Sequence, residues 1–108
     1  MEDMLTAYPG CINLVLCHND DTAIGALNAV KAAGVEGISI IGFDGNQSAV
    51  ELIAAGELAG TIAQQPELMG YLSVMTTVAA LKGETVEPNV TVDTVVIDGA
   101  NCADYLKK

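Results

Sequence analysis

The chain alternates short apolar runs with longer stretches in which apolar residues recur every three or four positions. "INLVLC" (12–17) has the length and β-branched content of a strand, and "TAIGALNAVKAAG" (22–34) sets Ile24, Leu27, Val30 and Lys31 at helical spacing before closing on Gly34. The rhythm then repeats. "ISIIGF" (38–43) reads as a second buried strand, "QSAVELIAAG" (47–56) as a helix ending at Gly56, and "AGTIA" (59–63) as a third strand. Pro66 suits the first turn of a third helix, which runs to about Lys82 before "KGE" stops it. "VTVDTVVID" (90–98) is the last expected strand, and "ANCADYL" adds a terminal turn of helix. No linker, low-complexity tract or repeat beyond this rhythm interrupts it.

Strands that are apolar on both faces, each followed by a helix, imply a parallel sheet covered on both sides with right-handed crossovers. The expected fold is therefore a single α/β domain over residues 1–108: three layers, a mainly parallel sheet with helices on both faces, flavodoxin-like in architecture. Ligands of such sheets gather at the carboxyl ends of the strands. The polar clusters "HNDD" (18–21), "DGNQ" (44–47) and "QQP" (64–66) each follow a strand, so all three are expected on one edge.

Each cluster also has a purely structural reading. Asp20 or Asp21 could cap the helix starting near Thr22, where a carboxylate satisfies orphan N–H groups and the helix dipole; Asn19, one step earlier, is harder to dismiss as a cap. Asp44-Gly45 could be an ordinary turn with Asn46 or Ser48 as cap. Gln65 precedes a proline and so is extended, its side chain solvated. His18 lacks the partner spacing of a metal site, and Cys17-His18 is no nucleophile–base pair, because adjacent strand residues point to opposite faces.

Charge narrows the partners. Fourteen acids against four lysines and no arginine give a net charge of −10, and Lys31 is the only cation before residue 80, so a phosphate backbone would be repelled and nucleic acid is excluded as a partner. No run approaches the roughly 18 apolar residues of a membrane span, and the opening "MEDMLTAYPG" lacks the basic flank and apolar core of a signal peptide, so the chain itself carries no address. Cys11, Cys17 and Cys102 have no metal spacing, and their odd number leaves at least one thiol unpaired. With few aromatic residues and no tryptophan, the core is expected to be Val, Ile, Leu, Ala and Met packed on close Gly and Ala positions.

Asn, Asp and Gln together at one edge suit a ring of vicinal hydroxyls: the carboxylate accepts hydroxyl hydrogens, and each amide both donates and accepts. That is the chemistry of a sugar. No Ser/His pairing, Gly-rich phosphate loop or nearby Lys or Arg supplies the usual tools of acyl or phosphoryl transfer, so no enzyme, cofactor or metal is expected.

The motifs "CHNDDTAIGALNAVKAAG", "ISIIGFDG", "AVELIAAGELAGTIAQQPELMGYLSV", "ALKGETV" and "DTVVIDGANCADYL", in this order, resemble the carboxy-terminal part of the sugar-binding proteins of ABC transporters, of the ribose-binding type within the type I periplasmic-binding fold. The resemblance implies hydroxyl-binding roles for Asn19, Asp44 and Gln64, with Gln65 beside the pattern and no role for His18. It implies two lobes that close on a monosaccharide and present it to a membrane permease, in a parent that is periplasmic or extracellular and could be a membrane-associated lipoprotein. The stacking aromatics and gripping arginines of such proteins would lie mostly upstream, so the chain looks like half of one. The resemblance also implies lobe crossings near Gln64 and Val92–Thr94, which assigns the helix 66–82 to the other lobe. Its Leu68, Leu72, Met75, Val78, Ala79 and Leu81 then need a surface: the chain's own sheet, or a second copy in a homodimer.

Two alternatives stand beside this reading. The same fold serves as the effector module of LacI-type regulators, although "GELAGTIAQQPELMGY" looks more like the transporter branch. A receiver-like phosphoacceptor would use Asp20, Asp21 and Asp44 around Mg²⁺, but it would also need a late strand-end lysine that Thr94–Asp98 does not offer.

Overall fold

The computed structural model describes residues 1–106. The chain forms two compact units, one of Met1–Ala63 together with the chain from Val95 onward, the other of Gln64–Thr94. In the first unit, α1 (Glu2–Ala7) precedes β1 (Leu14–Leu16), α2 (Asp20–Ala32), β2 (Ser39–Asp44), α3 (Gln47–Ala54) and β3 (Gly60–Ala63). After the second unit the chain returns as β4 (Val95–Asp98) and a 3₁₀ turn at Cys102–Asp104.

The four strands lie in sequence order, β1-β2-β3-β4, parallel except for the last pair. This is the mostly parallel α/β sheet expected from the sequence. Two successive crossovers in one direction put α2 and α3 on the same face, and the core forms there. Ala23, Ala26, Leu27 and Val30 of α2 and Ala49, Val50 and Ile53 of α3 close on Ile40 and Ile97 of the sheet, with Leu58 and Cys102 completing the cluster. Burying each of the larger side chains contributes about 1.5–3 kcal/mol, and the alanines let the helices approach closely.

The helices in this unit cover one sheet face. On the other, where the register aligns Leu16 with Ile41 and Phe43 with Ile62 and Val96, the strands are equally apolar but open: Leu14, Leu16 and Val96 are more than half exposed. Apolar residues on both faces point to a two-sided cover, and within this unit α2 and α3 supply it for one side.

α2 and α3 stop by the same device. The N–H groups of Gly34 and Val35 bond the carbonyls of Lys31 and Val30, and those of Gly56 and Glu57 bond Ile53 and Leu52, with each glycine at positive φ.

The second unit holds α4 (Pro66–Leu81), with Pro66 at its start. None of its residues is buried, and Leu68, Met69, Tyr71, Val74, Met75, Val78 and Leu81 are all exposed. Although apolar all round, the helix is not long enough to cross a membrane. A groove of about 680 Å³ runs between it and the following segment, lined by Met69, Leu72, Thr76, Ala80, Val90 and Val92.

Two elements depart from the sequence reading. The last strand begins at Val95, not residue 90, because residues 90–94 belong to the second unit and have no ladder there, so their alternating pattern stays unpaired. α1 was not anticipated: six residues with none buried are too few to show a period.

Candidate functional site

β1 and β2 run side by side with Leu16 opposite Ile41. Asn19 lies three residues beyond the first and Asp44 three beyond the second, so the chain brings both to the same carboxyl edge. Asp44 pairs with Ala63 of β3, and Gln64 follows Ala63 by one peptide bond as the first residue of the second unit.

Asn19 is the N-cap of α2, in extended conformation at φ −153° and ψ 168°. Its Oδ1 accepts from the Thr22 backbone N–H at 2.8 Å and from the Thr22 hydroxyl at 2.6 Å. The cap expected of Asp20 or Asp21 therefore belongs to Asn19, and the helix starts two residues earlier than the apolar period suggested. Because Oδ1 must accept, the amide orientation is fixed, and Nδ2 keeps two donors on an exposed residue. The cap thus presents a donor at the sheet edge.

Asp20 is fully buried. Its Oδ2 accepts the Asn46 backbone N–H at 2.6 Å and its Oδ1 accepts the Thr61 hydroxyl at 2.6 Å, while Thr61 Oγ1 accepts the Gly45 N–H at 3.3 Å. One carboxylate thereby joins the start of α2, the loop after β2 and the middle of β3. Bonds of this charge-assisted kind contribute about 1.5–3 kcal/mol each, and losing one strands a buried charge. Gly42 is required beneath it, since a Cβ there would collide with Asp20 Oδ1 and approach the Ala23 Cβ to 3.3 Å.

The loop itself is strained. Asp44 has φ 120°, outside the ordinary range for a residue with a side chain, and Gly45 follows at φ 80°, where a Cβ would come within 2.5 Å of the Ala63 Cβ. A non-glycine residue in such a conformation costs about 1–3 kcal/mol and persists only where its surroundings enforce it. The ordinary-turn reading is corrected here: α3 begins at Gln47 with Asn46 as N-cap, no side chain caps it, and the Asn46 N–H goes to Asp20 instead.

Gln65 is not merely solvated. Its Nε2 donates to the Asp93 carbonyl at 2.7 Å, so within the second unit it ties the two connecting segments together. His18 is exposed, and among the described residues no three His, Cys, Asp or Glu side chains converge as metal ligands. Burial pushes the Cys17 thiol above its ordinary value, which disfavours the thiolate a nucleophile needs. Asp20 is fully buried with each oxygen already accepting a protein donor, which disfavours it as a ligand in a Mg²⁺ constellation of the receiver type.

Residues 1–85 match the family described as periplasmic binding protein domain. The chain belongs to the periplasmic binding protein family. Among its relatives, the ribose import binding protein RbsB of Haemophilus influenzae is 47% identical over 93 residues, covering 86% of this chain and 32% of that protein. The ribose import binding protein of Bacillus subtilis is 41% identical over 90 residues, 83% of this chain and 29% of the relative. A solved periplasmic solute-binding protein of an ABC transporter from Actinobacillus succinogenes, with bound D-allose, superimposes with a TM-score of 0.88 at 31% identity, covering 96% of this chain and 36% of that one. A Caulobacter myo-inositol binding protein bound to myo-inositol gives 0.85 at 33% identity, with 95% and 36% covered. This periplasmic binding protein chain thus spans about a third of the length of the relatives it matches.

The sequence reading passed over the buried pair of this periplasmic binding protein chain, Asp20 and Thr61. A signal was present: an acid at the first helical position, two residues before an apolar period begins, faces the same sheet as the glycine in "IIGFDG", and a side chain forced against a glycine is a packed one.

Proposed function

We propose that this chain is the carboxy-terminal portion of a solute-binding protein that captures a monosaccharide for uptake by an ABC transporter, with Asn19, Asp44 and Gln64 as hydroxyl-binding residues of one wall. The observation that supports the assignment is the shared edge: the Leu16–Ile41 register sets Asn19 and Asp44 at one level, and Gln64 directly follows the strand partner of Asp44. A carboxylate that accepts, beside an amide whose two N–H groups are held free by its own cap, matches a pair of neighbouring hydroxyls. The names of the relatives, ribose import and D-allose or myo-inositol binding, support a small polyhydroxylated molecule as the ligand class. The intact protein would work outside the cytoplasmic membrane, deliver its sugar to a permease and catalyse no reaction.

The break points at Gln64 and Thr94 support assigning α4 to the other lobe of the parent. In the isolated chain, its exposed Leu, Met and Val side chains would be covered by a second copy, as a homodimer. Each one fully buried contributes about 1.5–3 kcal/mol, a sum comparable to the stability of a small domain.

One wall binds poorly alone. Three polar side chains offer about 0.5–1.5 kcal/mol each, or up to about 3 for the charged one, against an association cost of at least about 4 kcal/mol. Calorimetry of this chain with ribose, xylose, galactose or glucose should give no titratable heat at millimolar sugar, and a micromolar constant would overturn the half-site reading. The function is tested by restoring the other wall. A chimera carrying the upstream two-thirds of the H. influenzae ribose import binding protein should bind ribose, and Asp44→Ala in it should weaken binding about 100-fold, the equivalent of one charged hydrogen-bond set. A folded chimera that ignores ribose, or one that is indifferent to Asp44→Ala, refutes the assignment.

A further inference from the structure

We propose that Asp20 is a positioning residue for Asp44, acting through Thr61 and two consecutive backbone N–H groups. This rests on the reading of Asp44 as a sugar-binding residue for its purpose, though not for its geometry. The two N–H groups that follow Asp44 in the chain, those of Gly45 and Asn46, are the ones tied down: the first to Thr61 Oγ1 and the second to Asp20 Oδ2. Thr61 in turn donates to Asp20 Oδ1, so both tethers end on one fully buried carboxylate. Fixing two successive peptide planes fixes how the chain leaves β2, and the residue immediately before them is the one held at φ 120°.

The arrangement has the parts of a rigid mount. Asp20 sits in the first turn of α2, where the helix dipole favours a negative charge. Gly42 lies directly against its side chain, since a Cβ there would collide with Asp20 Oδ1. Asn19, the adjacent residue, is held by its own cap. The start of α2 therefore sets two neighbouring residues of the proposed wall, one directly and one through the carboxylate. A binding protein needs this preorganisation, because a side chain that must be ordered when the sugar arrives loses affinity in doing so.

The test uses the whole ¹⁵N-labelled chain and amide hydrogen exchange. Thr61→Val keeps the shape of the side chain and removes the hydroxyl, whereas Thr61→Ser keeps the hydroxyl. Exchange at Gly45 and Asn46 should rise about tenfold in Thr61→Val, with the amides of Ile40 and Ile97 unchanged, and should return towards the parent rate in Thr61→Ser. If Gly45 and Asn46 exchange as in the parent, or if every amide accelerates alike, the tether is not what holds the loop and the proposal fails. Should Thr61→Val not fold, Asp20→Asn answers in its place: the neutral amide should move the Asn46 proton resonance upfield, and an unmoved resonance overturns the proposal. Ribose binding by the chimera described above reads the ligand assignment separately. Affinity that falls in its Thr61→Val form supports both readings, while the expected exchange pattern in a folded chimera that ignores ribose keeps the tether and removes the sugar.

Discussion

Gly42→Ala is the sharpest probe of the buried carboxylate. The added methyl would collide with Asp20 Oδ1 and come within 3.3 Å of both the Asp20 Cα and the Ala23 Cβ. Asp20 cannot swing aside freely, because one oxygen holds the Asn46 N–H and the other the Thr61 hydroxyl. Overpacking of this kind costs about 1–3 kcal/mol, and displacing the carboxylate forfeits at least one charge-assisted bond of about 1.5–3 kcal/mol. The backbone gain of alanine over glycine returns about 0.5–1 kcal/mol, so the net loss should be about 2–5 kcal/mol. In urea unfolding with a slope of about 1 kcal/mol/M, as for a small domain, the midpoint should fall by about 2 M or more at unchanged slope. Gly25→Ala, in α2 with nothing within 4 Å of the new methyl, is the control and should gain about 0.5–1 kcal/mol. Combined with Thr61→Val, Gly42→Ala should cost less than the sum of the two, since both act through Asp20. A Gly42→Ala protein within about 0.5 kcal/mol of the parent, or one indistinguishable from Gly25→Ala, would refute the packing argument.

The thiols should differ in reactivity: alkylation followed by mass spectrometry should find exposed Cys11 modified first, with half-buried Cys17 and buried Cys102 lagging. Because burial raises the Cys17 pKa, the folded state holds that proton after the unfolded chain has lost it. Stability should therefore decline as pH climbs past the ordinary value of 9.0, and urea midpoints at alkaline pH should show a smaller decline in Cys17→Ala. Ile97→Ala, at 1% exposure in β4, should cost about 2–5 kcal/mol by the same unfolding measurement. Light scattering after size exclusion should report a dimer, and a monodisperse monomer unchanged by concentration would rule out pairing through α4.

The periodic parts of this chain were readable from sequence, while parts held by single long-range bonds were not. Strands such as 38–43 and helices ending at Gly34 and Gly56 announce themselves, because apolar spacing and a terminal glycine are local signals of local structure. The placement of Asn19 and Asp44 at one carboxyl edge followed from the β–α order alone. What sequence missed turns on contacts between distant residues. Asp20 read as a cap because carboxylates at helix starts usually are, and only its approach to Thr61, 41 positions away, shows otherwise. Gln65 read as solvated because its partner, the Asp93 carbonyl, is 28 positions away. The apolar second face of the sheet reports what that face needs and not which element provides it.

The antiparallel pairing of β3 with β4 sets Ala63 directly across from Val95. Everything from Gln64 to Thr94 is therefore an excursion that leaves and re-enters the sheet at adjacent points, about 5 Å apart by the spacing of neighbouring strands. In topological terms it is an insertion in a hairpin, and a two-residue Asn-Gly turn would close the same gap. The remaining strands already stand in the order in which they leave the ribosome, each adding beside the one before. A miniature protein of about 80 residues is thus latent in this chain: it would retain Asn19, Asp20, Asp44 and Thr61 on their mount without α4, a scaffold onto which a different second wall could be grafted.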